Sequence, residues 1–257
     1  MALPQTAAIE AFNEVVRMAG DDSEALGRAK WKLDNLYRKA RSNNVSALGL
    51  LHAHQMLGER AEADGLADEL WGRRSAMSLE QRQTFAALLS AIAQYDHALE
   101  LVDDISFEGS KSALDRRQMV AAEAYLTQWH PRMFRPFAAI DPVGFEALST
   151  ALDACGLLPV MQERQTIVNA ALGSLQCGAL LLLNSDGDDK FTLTRDVYVP
   201  VDYRQRRDIA DKLSDALDDF YQAAGVDGAA ARSLLIELVL PVSARPAIAK
   251  PLLPIFA

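Results

Sequence analysis

CGALLLLNSDGDDKFTLTRDVYVPVD, residues 177–202, is where the chain changes character. An apolar run ending at Leu183 meets the turn-rich NSDGDD at 184–189. Beyond it Phe191, Leu193, Val197, Val199 and Val201 fall on one face of an extended segment. Alternation of that kind around a turn predicts a β-hairpin. No stretch before residue 176 reads this way, because everything up to 129 carries helical periodicity. The expected fold class is therefore α+β: an N-terminal all-α stack of helical hairpins, then a smaller α/β domain with a short, mainly antiparallel sheet.

Working backwards, TAAIEAFNEVVRMAG (6–20) places Ile9, Phe12, Val16 and Ala19 on one stripe. SEALGRAKWKLDNLYRKA (23–40) turns Leu26, Leu33, Leu36 and Tyr37 inward, with Ser23 expected as its N-cap. Two further pairs follow, 45–57 with 59–74 and 79–94 with 95–105, and one more helix spans 115–129. HPRMFRPFAAIDP (130–142) has three prolines and reads as a connector. VGFEALSTALDACG gives a helix stopped by Gly156. MQERQTIVNAALGSL fits a helix and, around TIVNAAL, equally a strand.

Working forwards, YRQRRDIADKLSDALDDF (203–220) is a helix with its charges reversed: arginines at the start, aspartates at the end, against the helix dipole. Asp202 and Gln205 predict a capping box. Arg204 and Arg207 stand four residues before Asp208 and Asp211, which offsets part of the dipole cost. RSLLIELVLPVS (232–243) reads as a final strand, and the tail from 244 has prolines at 246, 251 and 254. The expected organisation is a helical stack over 1–129, a connector over 130–141, an α+β domain over 142–243 and an extended tail over 244–257.

Composition narrows the function. Half of the 257 residues are apolar and 24% are charged, and the net charge of -9 excludes a generic nucleic-acid binder. Cys155 and Cys177 stand in no metal-ligand spacing, so buried thiols in a reducing compartment are expected. The N-terminus lacks a signal-peptide pattern and no apolar run can span a bilayer, so the expected location is cytoplasmic. In NSDGDD the glycine comes at the fourth position and Arg195 falls at the twelfth, which does not make a calcium loop. Four histidines show no metal spacing, and the sequence holds no HExxH, GxSxG, GxxxxGK[ST] or GxGxxG. No catalytic residue, metal or cofactor is expected.

Candidate partner contacts are charged residues in unusual places. Arg195 has the inward parity of its strand, between Leu193 and Val197, and Arg206 falls on the apolar stripe of its helix. Each either buries its stem or meets a hidden acid. Asp215, Asp218 and Asp219 form an acidic helix end suited to a basic partner. His130, Arg132 and Arg135 cluster in the connector, where they serve an anion or partner, or hydrogen-bond loop carbonyls.

Two resemblances add to this reading. Gly58 to Ala63 and Gly20 to Ala25 repeat the phrase G-x-x-x-x-A, and Ala63 and Ala98 lie 35 residues apart in matching hairpins. Ala93 stands where a turn glycine would fall. This resembles tetratricopeptide repeats, which implies a groove for a peptide. The order of FEALSTALDACGL, the hairpin, IADKLSDALDDFY and LLIELVLPV resembles type III secretion effector chaperones, which implies binding of an extended client segment. The function expected is a non-catalytic adaptor or chaperone recognising a partner protein, with a homodimer among its assemblies. The alternative expected is an enzyme or small-molecule sensor with its site at the junction of the two parts.

Overall fold

The computed structural model describes residues 4–18, 20–104, 142–185 and 191–246. The helix expected over 115–129 and the connector with His130, Arg132 and Arg135 lie outside them.

Six helices come first: α1 (Pro4–Val16), α2 (Ser23–Lys39), α3 (Asn44–Leu57), α4 (Arg60–Gly72), α5 (Leu79–Ala91) and α6 (Tyr95–Asp104). Each pair is antiparallel across a capped turn. α2 is capped by Asp22, whose side chain accepts from the Ala25 amide at 3.1 Å, and not by Ser23, which is already its first helical residue. Asn43 caps α3, and Ser78 with Gln81 forms a capping box on α5. Ala93 has φ 56°, so it does occupy the left-handed position of a turn glycine.

α3 is the hub, packing on α1, α2, α4 and α5, while α5 also packs on α6. That is why α3 is buried around its whole circumference, including Ser46, His52 and Gln55. Ala63 and Ala98 are fully buried. Ala25 is only partly buried, and Ala29 one turn on is the buried alanine of α2.

The second part holds α7 (Pro142–Ala154), α8 (Met161–Leu172), β1 (Gly178–Ser185), β2 (Phe191–Val199), α9 (Tyr203–Ala224), α10 (Gly228–Leu234) and β3 (Leu235–Pro241). The ambiguous stretch at 159–175 is the helix α8. The predicted hairpin is present, with Gly178 opposite Tyr198 and Ser185 opposite Phe191. β3 then pairs parallel to β2, from Leu193 beside Leu235 to Val199 beside Pro241. The α+β class holds, but the three-stranded sheet in order β1-β2-β3 is mixed, because α9 and α10 form a crossover between β2 and β3. RSLL begins in α10 and not in the last strand: Asp227 accepts from the Ala229 and Ala230 amides and starts a seven-residue helix.

Leu193, Val197, Val199 and Leu235 are buried on the sheet's helix-covered face. α9 packs on β3 and on α8. Its capping box is complete, with the Gln205 amide donating to Asp202 at 2.8 Å and the Asp202 amide to Gln205 at 3.3 Å.

The two parts are packed together. Gly58 (φ 74°) lies where an added Cβ would come within 2.6 Å of Pro200. At Gly20 an added Cβ would sit 2.0 Å from the Val242 carbonyl oxygen, and the Gly20 amide donates to the Arg245 carbonyl at 2.8 Å. Both glycines of the repeat phrases thus stand against the C-terminal part. The tail is docked as far as Arg245.

Candidate functional site

Arg195 is 1% exposed and meets no acid among the described residues. One terminal nitrogen donates to the Tyr95 hydroxyl and, at 2.8 Å, to Gln176 Oε1, which also accepts from Tyr95 at 3.2 Å. Its Nε and other terminal nitrogen have no hydrogen-bond partner among the described residues. Gln176 in turn donates to the carbonyls of Ser90 and Ala91, and Arg60 donates to those of Gly173 and Gln176 at 2.7 Å each. Arg195 is therefore part of a polar seam joining α4, α5 and α6 to the sheet, and it offers no surface to a protein partner.

Beside this seam lies an open cavity of about 260 Å3. Ala93, Tyr95 and Asp96 contribute from one part, and Gln162, Gln165, Thr166 and Asn169 from the other. Gln165 is buried, and its Oε1 has no partner among the described residues.

Arg206 also has no acidic partner among the described residues. It donates to the Val201 carbonyl at 2.9 Å and its guanidinium lies 5.9 Å from the Tyr203 ring centroid. Arg207 pairs with Asp211 at 3.8 Å, whereas Arg204 makes no ion pair with Asp208. Asp218 pairs with Arg232 of α10. Asp215 and Asp219 are exposed and form no ion pair among the described residues. Of the acidic helix end, two carboxylates remain open to a partner.

The buried acid of the sheet is Glu237, which the sequence analysis passed over. Arg164 donates to both of its oxygens, at 2.8 and 2.5 Å, and to the Tyr221 hydroxyl at 2.8 Å. Burial pulls the Arg164 pKa down, but Glu237 and Tyr221 outweigh it and hold the pKa above its ordinary value. The signal was present: Glu237 has the same parity as Leu235 and Val239, so an acid points where two apolar residues point. Above the pair runs a groove of about 190 Å3 between α9 and β3, with Leu213, Leu217 and Val239 along it.

The other open surface lies on α1 and α2. Trp31 is 70% exposed. At about 100° per residue it stands opposite the stripe of Leu26, Leu33 and Tyr37, so its outward position is legible in the sequence. On one side is a groove of about 390 Å3 floored by Ala7, Ala11 and Leu36 and rimmed by Lys32 and Lys39. On the other is a groove of about 730 Å3 that includes Ser23, Gly27 and Arg28. Nothing lies within 4 Å of the place where a Gly27 Cβ would be.

The reactive groups are muted. Both cysteines are buried and unpaired, and burial pushes the Cys177 thiol up to about 11, away from the thiolate needed for nucleophilic attack. Burial holds His54 below its ordinary value although it lies 2.6 Å from Glu59, and Lys30 occupies the same carboxylate. Among the described residues no group of three or more His, Cys, Asp or Glu is placed to hold a metal ion. No helix among them is long and apolar enough to cross a membrane. Comparison of the chain with protein-family models, curated proteins and solved structures finds no match.

Proposed function

We propose that the protein is a non-catalytic adaptor or chaperone that takes a segment of a partner protein on the α1/α2 face around Trp31. The carrying observation is Trp31 itself: a large aromatic side chain, 70% exposed, with an open groove on each side. Tryptophan is the residue type most enriched at the centre of binding interfaces, because it buries a large area at small entropic cost. Lys39 carries a charge with no ion pair among the described residues, so a segment pairing an apolar anchor with a carboxylate suits this face.

Gly27 supports the reading on energetic grounds. It sits in the interior of α2, where glycine costs about 0.5–1 kcal/mol relative to alanine, and no packing requires it. What it does is keep the groove beside Trp31 bare. Gly27→Ala is expected to stabilise the protein by about 0.5–1 kcal/mol in denaturant titrations while weakening partner binding.

The test is capture of partners on the immobilised full chain and on Trp31→Ala, which removes an exposed side chain and is expected to leave the melting temperature unchanged. A partner held by the wild type and lost by the variant is expected. Equal recovery by both, or no reproducible partner, contradicts the reading.

A second reading rests on the junction cavity, which gathers polar groups from both parts, as a small-molecule sensor requires. Thermal-shift screening with metabolites and nucleotides tests it: stabilisation removed by Gln165→Leu supports a ligand there, and no stabilisation by any compound sinks it.

A further inference from the structure

We propose that the protein forms a two-fold dimer with a second copy of itself through the outer edge of β3 and the adjoining flank of α9. β3 is the last strand of the sheet, and no strand pairs with its other side among the described residues. An open edge presents unpaired backbone donors and acceptors, and monomeric proteins guard such edges with lysines, prolines, bulges or inward-pointing charges. β3, with sequence LIELVLP, has no lysine, bulge or internal proline. Its single charge, Glu237, is consumed by Arg164, and its proline is the terminal Pro241. Ile236 and Leu238 remain 36% and 43% exposed.

The occupant is identified by charge. Positions 207, 211, 214 and 218 recur every three or four residues, so they form one flank of α9. Ser214 lines the groove beside β3, as does Arg232, the partner of Asp218. On and beside this flank Arg204 and Arg207 precede Asp211, Asp215 and Asp218. That order is unfavourable to the helix's own dipole, yet it is complementary to its own reverse. A two-fold axis near Leu238 pairs β3 antiparallel with its copy. It sets Arg204 and Arg207 of each α9 beside the acidic second half of the other, giving Asp215 a basic partner. The interface is isologous, with the same patch on both copies.

Sedimentation velocity over a dilution series of the full chain tests this, with circular dichroism confirming that each variant folds. The wild type is expected to show a monomer–dimer equilibrium. Leu238→Lys, a change at an exposed position, is expected to raise the dissociation constant at least about ten-fold. Arg204→Asp and Asp215→Arg are each expected to weaken the dimer several-fold, and the double reversal to recover it, because the swapped charges again face each other. A wild type that stays monomeric at every soluble concentration overturns the proposal. So does a dimer that Leu238→Lys and both single reversals leave unchanged.

Discussion

The pair Arg164 and Glu237 shows how much one buried contact hides from a sequence. Their partnership spans 73 positions and joins α8 to β3, so no local pattern reports it. Removing one member leaves a charge without a counter-charge in a site 1% and 5% exposed, which costs about 3–5 kcal/mol. Glu237→Gln is therefore expected to lower the denaturation midpoint strongly. The double change Arg164→Met with Glu237→Leu, which leaves no charge behind, is expected to recover most of that loss. A double mutant as unstable as the single one contradicts this account. His52 makes a second residue-scale prediction. Burial in α3, with the Arg245 charge adding to it, pushes its pKa down to about 3, while an unfolded chain returns it to its ordinary 6.5. The unfolded state therefore binds the proton first, and the stability His52 contributes is complete above pH 6.5 and lost as pH falls from there towards 3. Over that window the wild type is expected to lose more stability than His52→Gln, measured by denaturant midpoints at successive pH values.

At the scale of elements, what was legible followed from short-range physics. The hairpin of β1 and β2, the Asp202 capping box and the apolar stripe of α9 each depend on residues a few positions apart. The parallel pairing of β3 was not legible, because it depends on where the crossover of α9 and α10 returns the chain. α10 itself escaped because seven residues are too few for a periodic signal. The inward parity of Arg195 was correct, but a tyrosine and a glutamine meet it in place of an acid, and their contacts come from α6 and the loop after α8. The repeat-phrase glycines carry an element-scale prediction. Gly20→Ala places a Cβ on the Val242 carbonyl, and the backbone must give way. It is expected to cost about 2 kcal/mol or more and to raise hydrogen exchange at the Gly20 amide and around Val242. Unchanged exchange there would show that the tail docks by other means.

At the scale of the whole molecule, the helical stack turns Gly20 and Gly58 towards the C-terminal part. α3 is enclosed by α1, α2, α4 and α5, α5 packs on β1, and Arg60, Gln176 and the approach of Gly58 to Pro200 hold the two parts together. The proposed partner segment is therefore expected on the outside, where Trp31 is the exposed large apolar residue of the stack among the described residues. Residue type and periodicity place it there, yet its meaning emerges only when α1 and α2 are seen to leave a groove on each side of it. The most direct measurement is therefore photo-crosslinking in the native cell from a benzoylphenylalanine placed at position 31, with the same group at exposed Asp153 on α7 as control. A discrete crosslinked partner from position 31 that is absent from position 153 is the predicted result. No crosslink at 31, or the same pattern from both positions, would contradict a protein-binding face on α1 and α2.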